Sequence, residues 1–384
     1  MRESHHCSEL RRPLDVATRL SCHFIIWTAM NRRVKRTPAN GKSGNVLAAA
    51  ASGIRLQIER GGGDSEEALK KSAIDPHLLE NGKNPLDLKG YVQLMEIAAG
   101  ITGNDNFGLN YGQQFTPEKL GLIGMVAITS PNLGTALTNL TRLFAYHQQA
   151  TETRLVADGE FIRLEYRILD GRILDRRQDA ELTMGMFANI FRHCAGPRWT
   201  PEEVHCEHPR PEMWRDHERA FNAPVHFAQR TNALLFNRHD LQTPMPQGDV
   251  RSLAALSEEL VSIAGGTGSI PLIDRVRSEI RRNLPDGGGT VEGISDELGI
   301  ARWTLQRCLA VEGCNFSDLI DQVRRDLAGR YLRQYSLSIT EIAFMLGYSE
   351  LSAFSRAFTR WWGVSPQGFR RNITTLSARQ PSFA

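Results

Sequence analysis

The sequence predicts a mainly α-helical chain of two domains. The first is an α+β domain, and the second is an all-α domain of two helix-turn-helix units joined by a linking helix. Three observations carry this. One helix-turn-helix pattern occurs twice between Thr290 and Arg371, offset by 48 residues before the turn and 49 after it. Ahead of it, the apolar period changes from helical spacing to strict alternation around Asp158-Gly159, then back to helical. A Gly-rich stretch, Ala264-Gly-Gly-Thr-Gly-Ser269, separates the two regions and reads as a flexible linker.

The chain has 384 residues, enough for separate cores, and 41% hydrophobic and 23% charged residues, the composition of an ordinary globular protein. Its net charge is only +3, but the charge is unevenly placed. Residues 1–50 carry nine Lys/Arg against three Asp/Glu, residues 51–270 carry 22 against 28, and residues 271–384 carry 15 against 12. An acidic middle followed by a basic end suits a sensor joined to a nucleic-acid reader. From Arg324 onward nine Arg face three acids, which places the expected DNA-facing charge in the final third of that domain. Six cysteines (7, 22, 194, 206, 308 and 314) form no regular framework, and a chain this long needs no staples, so a reduced cytoplasmic setting is expected. The apolar run Phe24-Ile-Ile-Trp27 is too short for a signal core or a membrane span.

Residues 1–45 read as an unstructured, basic extension. Two other readings stay open: a basic arm that touches DNA, and translation starting at Met30. The sensor domain is expected over 46–262. Val46 to Ala51 continues into Ile54 and Ile58 at helical spacing, and Ser65–Ser72 and Leu88–Gly100 read as further helices. Gly121–Ser130 is a small-residue stretch, and Pro131 opens a helix to about Tyr146. Thr153–Ala157 and Phe161–Ile168 alternate apolar and polar about Asp158-Gly159, the signature of a hairpin. Gln178–Cys194 returns to helix. Glu203–His208, Val225–Phe227 and Ala233–Phe236 read as short strands of a small antiparallel sheet, around a helix at Met213–Phe221. Leu241–Val261 leads into a last helix, and 263–270 is the linker.

The C-terminal domain is expected over 271–374, with a tail at 375–384. Its first unit reads Ile294-Ser-Asp-Glu-Leu298-Gly299, then Arg302-Trp-Thr-Leu-Gln-Arg-Cys-Leu309. The second reads Ile342-Ala-Phe-Met-Leu346-Gly347, then Ser352-Ala-Phe-Ser-Arg-Ala-Phe358. On a 3.6-residue wheel Leu305, Cys308 and Leu309 share one arc, while Trp303, Gln306, Arg307 and Ala310 share the opposite one, with Arg302 at its edge. Gln and Arg are the side chains that pair in bidentate fashion with adenine and guanine edges. In the second unit Leu351, Phe354, Phe358 and Trp361 form the apolar side; Ser352, Ser355, Arg356 and Thr359 form the polar arc. Phe316, Leu319, Ile320, Val323, Leu327 and Tyr331 recur at three- and four-residue spacing in the linking helix. Asn315 is its expected N-cap, and Ser338-Ile-Thr-Glu341 is a capping box for the next helix. Ser365-Pro366 begins a turn followed by an aromatic-basic tail.

Residues 271–371 resemble the C-terminal DNA-binding domain of the AraC/XylS family of transcription regulators, in both units, the linking helix, the Leu346-Gly-Tyr-Ser349 signature and the Ser365-Pro-x-x-Phe-Arg370 ending. The resemblance implies two recognition helices entering successive major-groove segments on one face of DNA. It implies contacts from Arg302, Trp303, Gln306 and Arg307 of the first, and from Leu351, Ser352, Ser355 and Arg356 of the second. Leu351 and the small side chains around it depart from the common pattern. Residues 46–262 more loosely resemble the N-terminal ligand-binding domain of one branch of that family, through Asn106-Phe-Gly-Leu-Asn-Tyr111, Ser130-Pro-Asn-Leu-Gly-Thr-Ala-Leu137, His208-Pro209 and Leu234-Leu-Phe236. That implies a sensor of a small organic molecule, and a possible homodimer.

The expected function is a DNA-binding transcription regulator, an activator controlled by a small-molecule effector, with RNA polymerase as a further partner. A repressor and an architectural DNA-binding protein are the alternatives. Sequence-independent binding would favour far more than three net positive charges. A DNA-repair alkyl acceptor would need a thiolate stabilised by a metal or by cations, whereas Cys308 falls on the buried face of its helix. The spacing of His193-Cys194 and His205-Cys206-Glu207-His208 matches no zinc finger, and adjacent strand residues point to opposite faces, so no metal is expected. No cofactor or catalytic constellation stands out.

Overall fold

The computed structural model describes residues 44–377. The expectations for residues 1–43 and for most of the tail lie outside the described residues. Expected helical spacing at 46–58 is corrected at its start. Asn45–Leu47 is a short strand (β1) paired with Pro85–Asp87 (β2), Ala48–Ala51 is a 3-10 turn, and the helix α1 begins only at Ile54. The break falls at Gly53, whose φ is +84°. Helices α2 (Ser65–Ser72), α3 (Leu88–Thr102), α4 (Phe107–Gln113), α5 (Leu122–Ile128) and α6 (Leu133–His147) follow. The Asp64, Asp87 and Asn132 side chains cap α2, α3 and α6, which is why those helices begin there.

The hairpin is present as β3 (Thr151–Asp158) and β4 (Phe161–Ile168), with Asp158 opposite Phe161. Helix α7 (Arg177–Ala195), β5 (Glu203–His205), α8 (Arg215–Phe221), β6 (Val225–His226) and β7 (Asn232–Asn237) complete a five-stranded sheet of order β3-β4-β7-β5-β6. It is mixed rather than antiparallel, because β5 and β6 run parallel. Along β4, Ile162, Leu164, Tyr166 and Ile168 are buried in the core, where Tyr166 meets Phe187 of α7 edge-on. Alternate positions carry Arg163, Glu165 and Arg167 on the other face.

Gly108 explains part of the Asn106–Tyr111 motif. A Cβ there would lie 2.1 Å from the Gln178 carbonyl oxygen, so α4 crosses the start of α7 only because that residue has no side chain.

After α9 (Val250–Ala264), the Gly-rich linker is tied back: Gln149 Nε2 donates to the carbonyls of Ala264 and Gly266. The C-terminal domain then opens with α10 (Leu272–Arg282), a helix that the sequence reading did not single out. It is followed by α11 (Val291–Glu297), α12 (Arg302–Val311), the linking helix α13 (Phe316–Tyr331), α14 (Ile339–Met345) and α15 (Leu351–Trp362). The expected turn and tail from Ser365 are corrected to a helix, α16 (Pro366–Ser377). Pro366 takes the first-turn position where a missing N–H costs nothing.

Two hydrophobic cores result, one from residues 46–260 and one from 273–358, and α10 joins them. Its Ile273, Val276 and Ile280 enter the second core, while Asp274, Ser278 and Glu279 are buried against the sheet domain. Arg167 at the end of β4 makes a bidentate pair with Glu279, at 2.8 and 2.6 Å. Glu207, just past β5, takes both Arg176 and Arg281, the latter at 2.9 Å. Burial alone would raise the Glu207 pKa, but these two guanidiniums bring it down to about 2. Ser278 Oγ donates to the Ile168 carbonyl at 3.2 Å, and Arg281 donates to the Leu174 carbonyl at 3.0 Å. The domains are thus clamped by ions and hydrogen bonds more than by shared apolar packing.

Candidate nucleic-acid interface

Each helix-turn-helix is built by the same local rules. Thr290 caps α11, its side-chain oxygen accepting from the Gly293 amide, and Gly299 at φ +62° turns the chain into α12. Asn315 is the expected N-cap of α13 and with Asp318 closes a full capping box, and Ser338 with Glu341 forms the box expected for α14. Gly347 repeats the turn at φ +77°, and a Cβ there would lie 2.0 Å from the Leu284 carbonyl oxygen. The Leu-Gly signature therefore marks both a left-handed turn and a close backbone approach.

In α12 Leu305 and Leu309 are buried, while Arg302, Trp303, Gln306, Arg307 and Ala310 are all exposed. Trp303 is 61% exposed, unusual for so large an apolar side chain. The Arg307 guanidinium lies 5.2 Å from its ring centroid, so the two are held as a stacked pair. Arg302 meets Glu292 at 2.7 Å on the open surface. In α15 Phe354 and Phe358 are buried, Ser352, Arg356 and Thr359 are exposed, and Ser355 is half-buried. Leu351 corrects the wheel: it is 40% exposed and stands with the polar arc rather than with the apolar side. Ser352 Oγ donates to Glu350 at 3.1 Å. Neither α12 nor α15 has a side-chain N-cap, in contrast to the three capped helices just described.

Four of the final-third arginines have partners within the protein. Arg324 Nε donates to the Leu346 carbonyl at 2.9 Å and its guanidinium sits 4.6 Å from the Tyr348 ring centroid, so it braces the second turn. Arg330 pairs with Asp175 of the sensor domain, and Arg360 with Asp321 at 2.7 Å. Arg370 Nε donates to the Leu332 carbonyl at 3.2 Å, at the end of the linking helix. The composition of the segment could not show which arginines have these partners. Cys308 is half-buried, and burial raises its thiol pKa, away from what a nucleophilic thiolate requires.

Two family models match this chain: "Arabinose-binding domain of AraC transcription regulator, N-term" over residues 62–245, and "Helix-turn-helix domain" over residues 294–372. The chain belongs to the AraC family of transcription regulators. It is a DNA-binding regulator with an N-terminal ligand-binding domain. Among its relatives, the HTH-type transcriptional regulator VirS of Mycobacterium tuberculosis is 29% identical over 315 residues, covering 80% of this chain and 91% of that one. The ornithine utilization regulator of Pseudomonas aeruginosa is 26% identical over 314 residues, with 80% and 91% covered. The transcriptional activator NphR of a Rhodococcus species is 28% identical over 149 residues, 36% of this chain and 44% of that one. No helix among the described residues is long and apolar enough to cross a membrane.

Proposed function

We propose that this AraC-family regulator is an effector-controlled activator that reads two successive major grooves, one with α12 and one with α15. The observation that carries this is the pair of outward arcs on helices whose other face is buried, Arg302, Trp303, Gln306 and Arg307 on the first and Leu351, Ser352 and Arg356, with the half-buried Ser355, on the second. Arg302, Gln306, Arg307 and Arg356 face base edges, and Trp303 supplies an apolar or stacking contact. The uncapped first turns of α12 and α15 leave backbone amides for phosphates. The two sites are about one DNA turn, ~34 Å, apart. The relative named as an activator supports the sign of regulation.

The effector acts on the clamp around α10. A small molecule bound to the N-terminal domain that favours one arrangement of Arg167–Glu279 and Arg176–Glu207–Arg281 shifts the interdomain equilibrium by its difference in affinity for the two states. Dimerisation through the N-terminal domain and contact with RNA polymerase complete the proposal. The test is a DNase footprint on the DNA upstream of its own coding region, with and without a panel of small metabolites, followed by run-off transcription. Two protected segments on one face, sharpened by one compound that raises transcription, is the expected result. Protection that lowers transcription would make it a repressor. Diffuse protection that follows ionic strength alone would favour an architectural role.

A further inference from the structure

Along the chain, the spacing of His193-Cys194 and His205-Cys206-Glu207-His208 matches no zinc finger. Folding gives a different grouping. Glu181 in the second turn of α7, His208 just past β5, and His217 in the middle of α8 converge, with one ligand atom of each lying within 4.8 Å of the others. All three are buried: Glu181 is 2% exposed, His208 6% and His217 0%. His205 is not part of it, since its Nε2 lies 3.2 Å from Glu203.

The hydrogen bonding of this cluster is incomplete in a particular way. His208 Nδ1 lies 2.9 Å from the Pro209 carbonyl oxygen, which can only accept, so Nδ1 carries the hydrogen. His208 Nε2 lies 3.4 Å from the Glu181 carboxylate oxygen and has no hydrogen-bond partner. His217 Nε2 reaches the same Oε1 at 2.8 Å, and Glu181 Oε2 and His217 Nδ1 have no hydrogen-bond partner. Unpaired buried polar atoms cost free energy, and an ion held between the three side chains would partner His208 Nε2 and the Glu181 carboxylate.

We propose that Glu181, His208 and His217 bind a first-row divalent metal ion, with Zn²⁺ the ion best suited to two imidazoles and a carboxylate. The spacing fits the chemistry. Zn–N and Zn–O bonds of about 2.0–2.1 Å in a tetrahedron place ligand atoms about 3.3 Å apart. The Glu181–His208 separation of 3.4 Å matches this, and the Glu181–His217 separation of 2.8 Å opens by about half an ångström as the single hydrogen of the His217 ring passes from Nε2 to Nδ1. The Nδ1–H bond from His208 to the Pro209 carbonyl is the outer contact that metal-bound imidazoles ordinarily make. Arg177 lies 3.5 Å from Glu181 and would repel a cation, but it is also held by the Asp105 carboxylate and the Asp105 carbonyl. The third and fourth acceptors around it, Glu96 and Glu181, are close enough to act on its charge.

The place in the fold gives the ion a structural consequence. His208 adjoins Glu207, which holds Arg281 of α10, so an ion on His208 fixes the strand end that carries half of the interdomain clamp. This proposal does not rest on the effector reading.

The test uses the full-length protein, stripped with EDTA and then titrated with Zn²⁺ against a chromophoric chelator, with Co²⁺ as a spectroscopic probe. One Zn²⁺ per chain is expected, with affinity falling about 100-fold or more in His208→Gln and His217→Gln. A correctly folded stripped protein that binds no Zn²⁺, or variants that bind as tightly as the parent, would overturn the proposal. Should both variants fail to fold, the parent's Co²⁺ spectrum decides. A d–d band without thiolate charge transfer, lost on adding equimolar Zn²⁺, supports a site of nitrogen and oxygen ligands. A thiolate band assigns the metal to cysteines and refutes the site.

Discussion

Glu279→Gln tests the clamp that joins sensor to DNA reader. In the parent, Glu279 and Arg167 have side-chain exposures of only 4% and 8%, and they meet through two hydrogen bonds. Removing one partner of a buried pair typically costs about 3–5 kcal/mol, mostly because the other charge is left uncompensated. Two features reduce that here. Arg167 Nε keeps its 2.8 Å bond to Glu152, and the Gln oxygen still accepts one of the two hydrogen bonds. A loss of about 2–3 kcal/mol follows. Because the two hydrophobic cores are separate, the loss falls on docking rather than on either core. Urea unfolding should therefore change from one transition to two, with the helical domain released first. Amide exchange in residues 272–282 should quicken by about 30- to 150-fold, the same free energy at about 1.4 kcal/mol per decade. A variant that unfolds in one transition within about 0.5 kcal/mol of the parent, with α10 exchange unchanged, would refute the idea that this pair holds the domains together.

Other outcomes follow from single contacts. Arg307→Ala should cost about 1–3 kcal/mol of operator affinity and relax selectivity at one base position; unchanged preference in a binding-site selection would remove α12 from base reading. Arg370→Ala should lower stability by about 1 kcal/mol, through loss of its bonds to the Leu332 and Gln334 carbonyls. The same variant should leave the salt dependence of DNA binding nearly as it was, and a slope reduced by one phosphate contact would show the opposite. His147 is fully buried with neither ring nitrogen bonded, and burial lowers its pKa to about 3. The unfolded chain, with a pKa near 6.5, then binds the proton more readily, so this stability is present above about pH 6.5 and is lost as pH falls toward 3. Relative to His147→Leu, the parent should lose about 2 kcal/mol more between pH 7 and pH 5, measured by urea midpoints at each pH. Gly108→Ala should destabilise by about 2–3 kcal/mol or more, because its Cβ meets the backbone of α7 at 2.1 Å; a thermal scan unchanged from the parent would show that α4 can move aside.

What could be read from the chain alone is what depends on local periodicity. The repeated Leu-Gly turn, the N-cap at Asn315, the capping box at Ser338, the hairpin at Asp158 and the exposed arc of α12 are all properties of a few adjacent residues. Short-range rules of this kind failed where one residue outweighed the pattern: Gly53 broke the run at 46–58, and Pro366 started a helix where a turn was expected.

Roles that need a partner far along the chain were not legible. Arg324, Arg330, Arg360 and Arg370 counted as basic residues of a DNA-binding segment, yet each is bonded within the protein, and only the fold distinguishes them from Arg307 and Arg356. The clamp joins Arg167 to Glu279 across 112 positions, and Glu181 meets His217 across 36. Composition and spacing were enough to predict an α+β domain followed by two helix-turn-helix units. Tertiary structure alone decided which charges are buried against one another, because desolvation depends on what packs on a side chain and not on its neighbours in sequence.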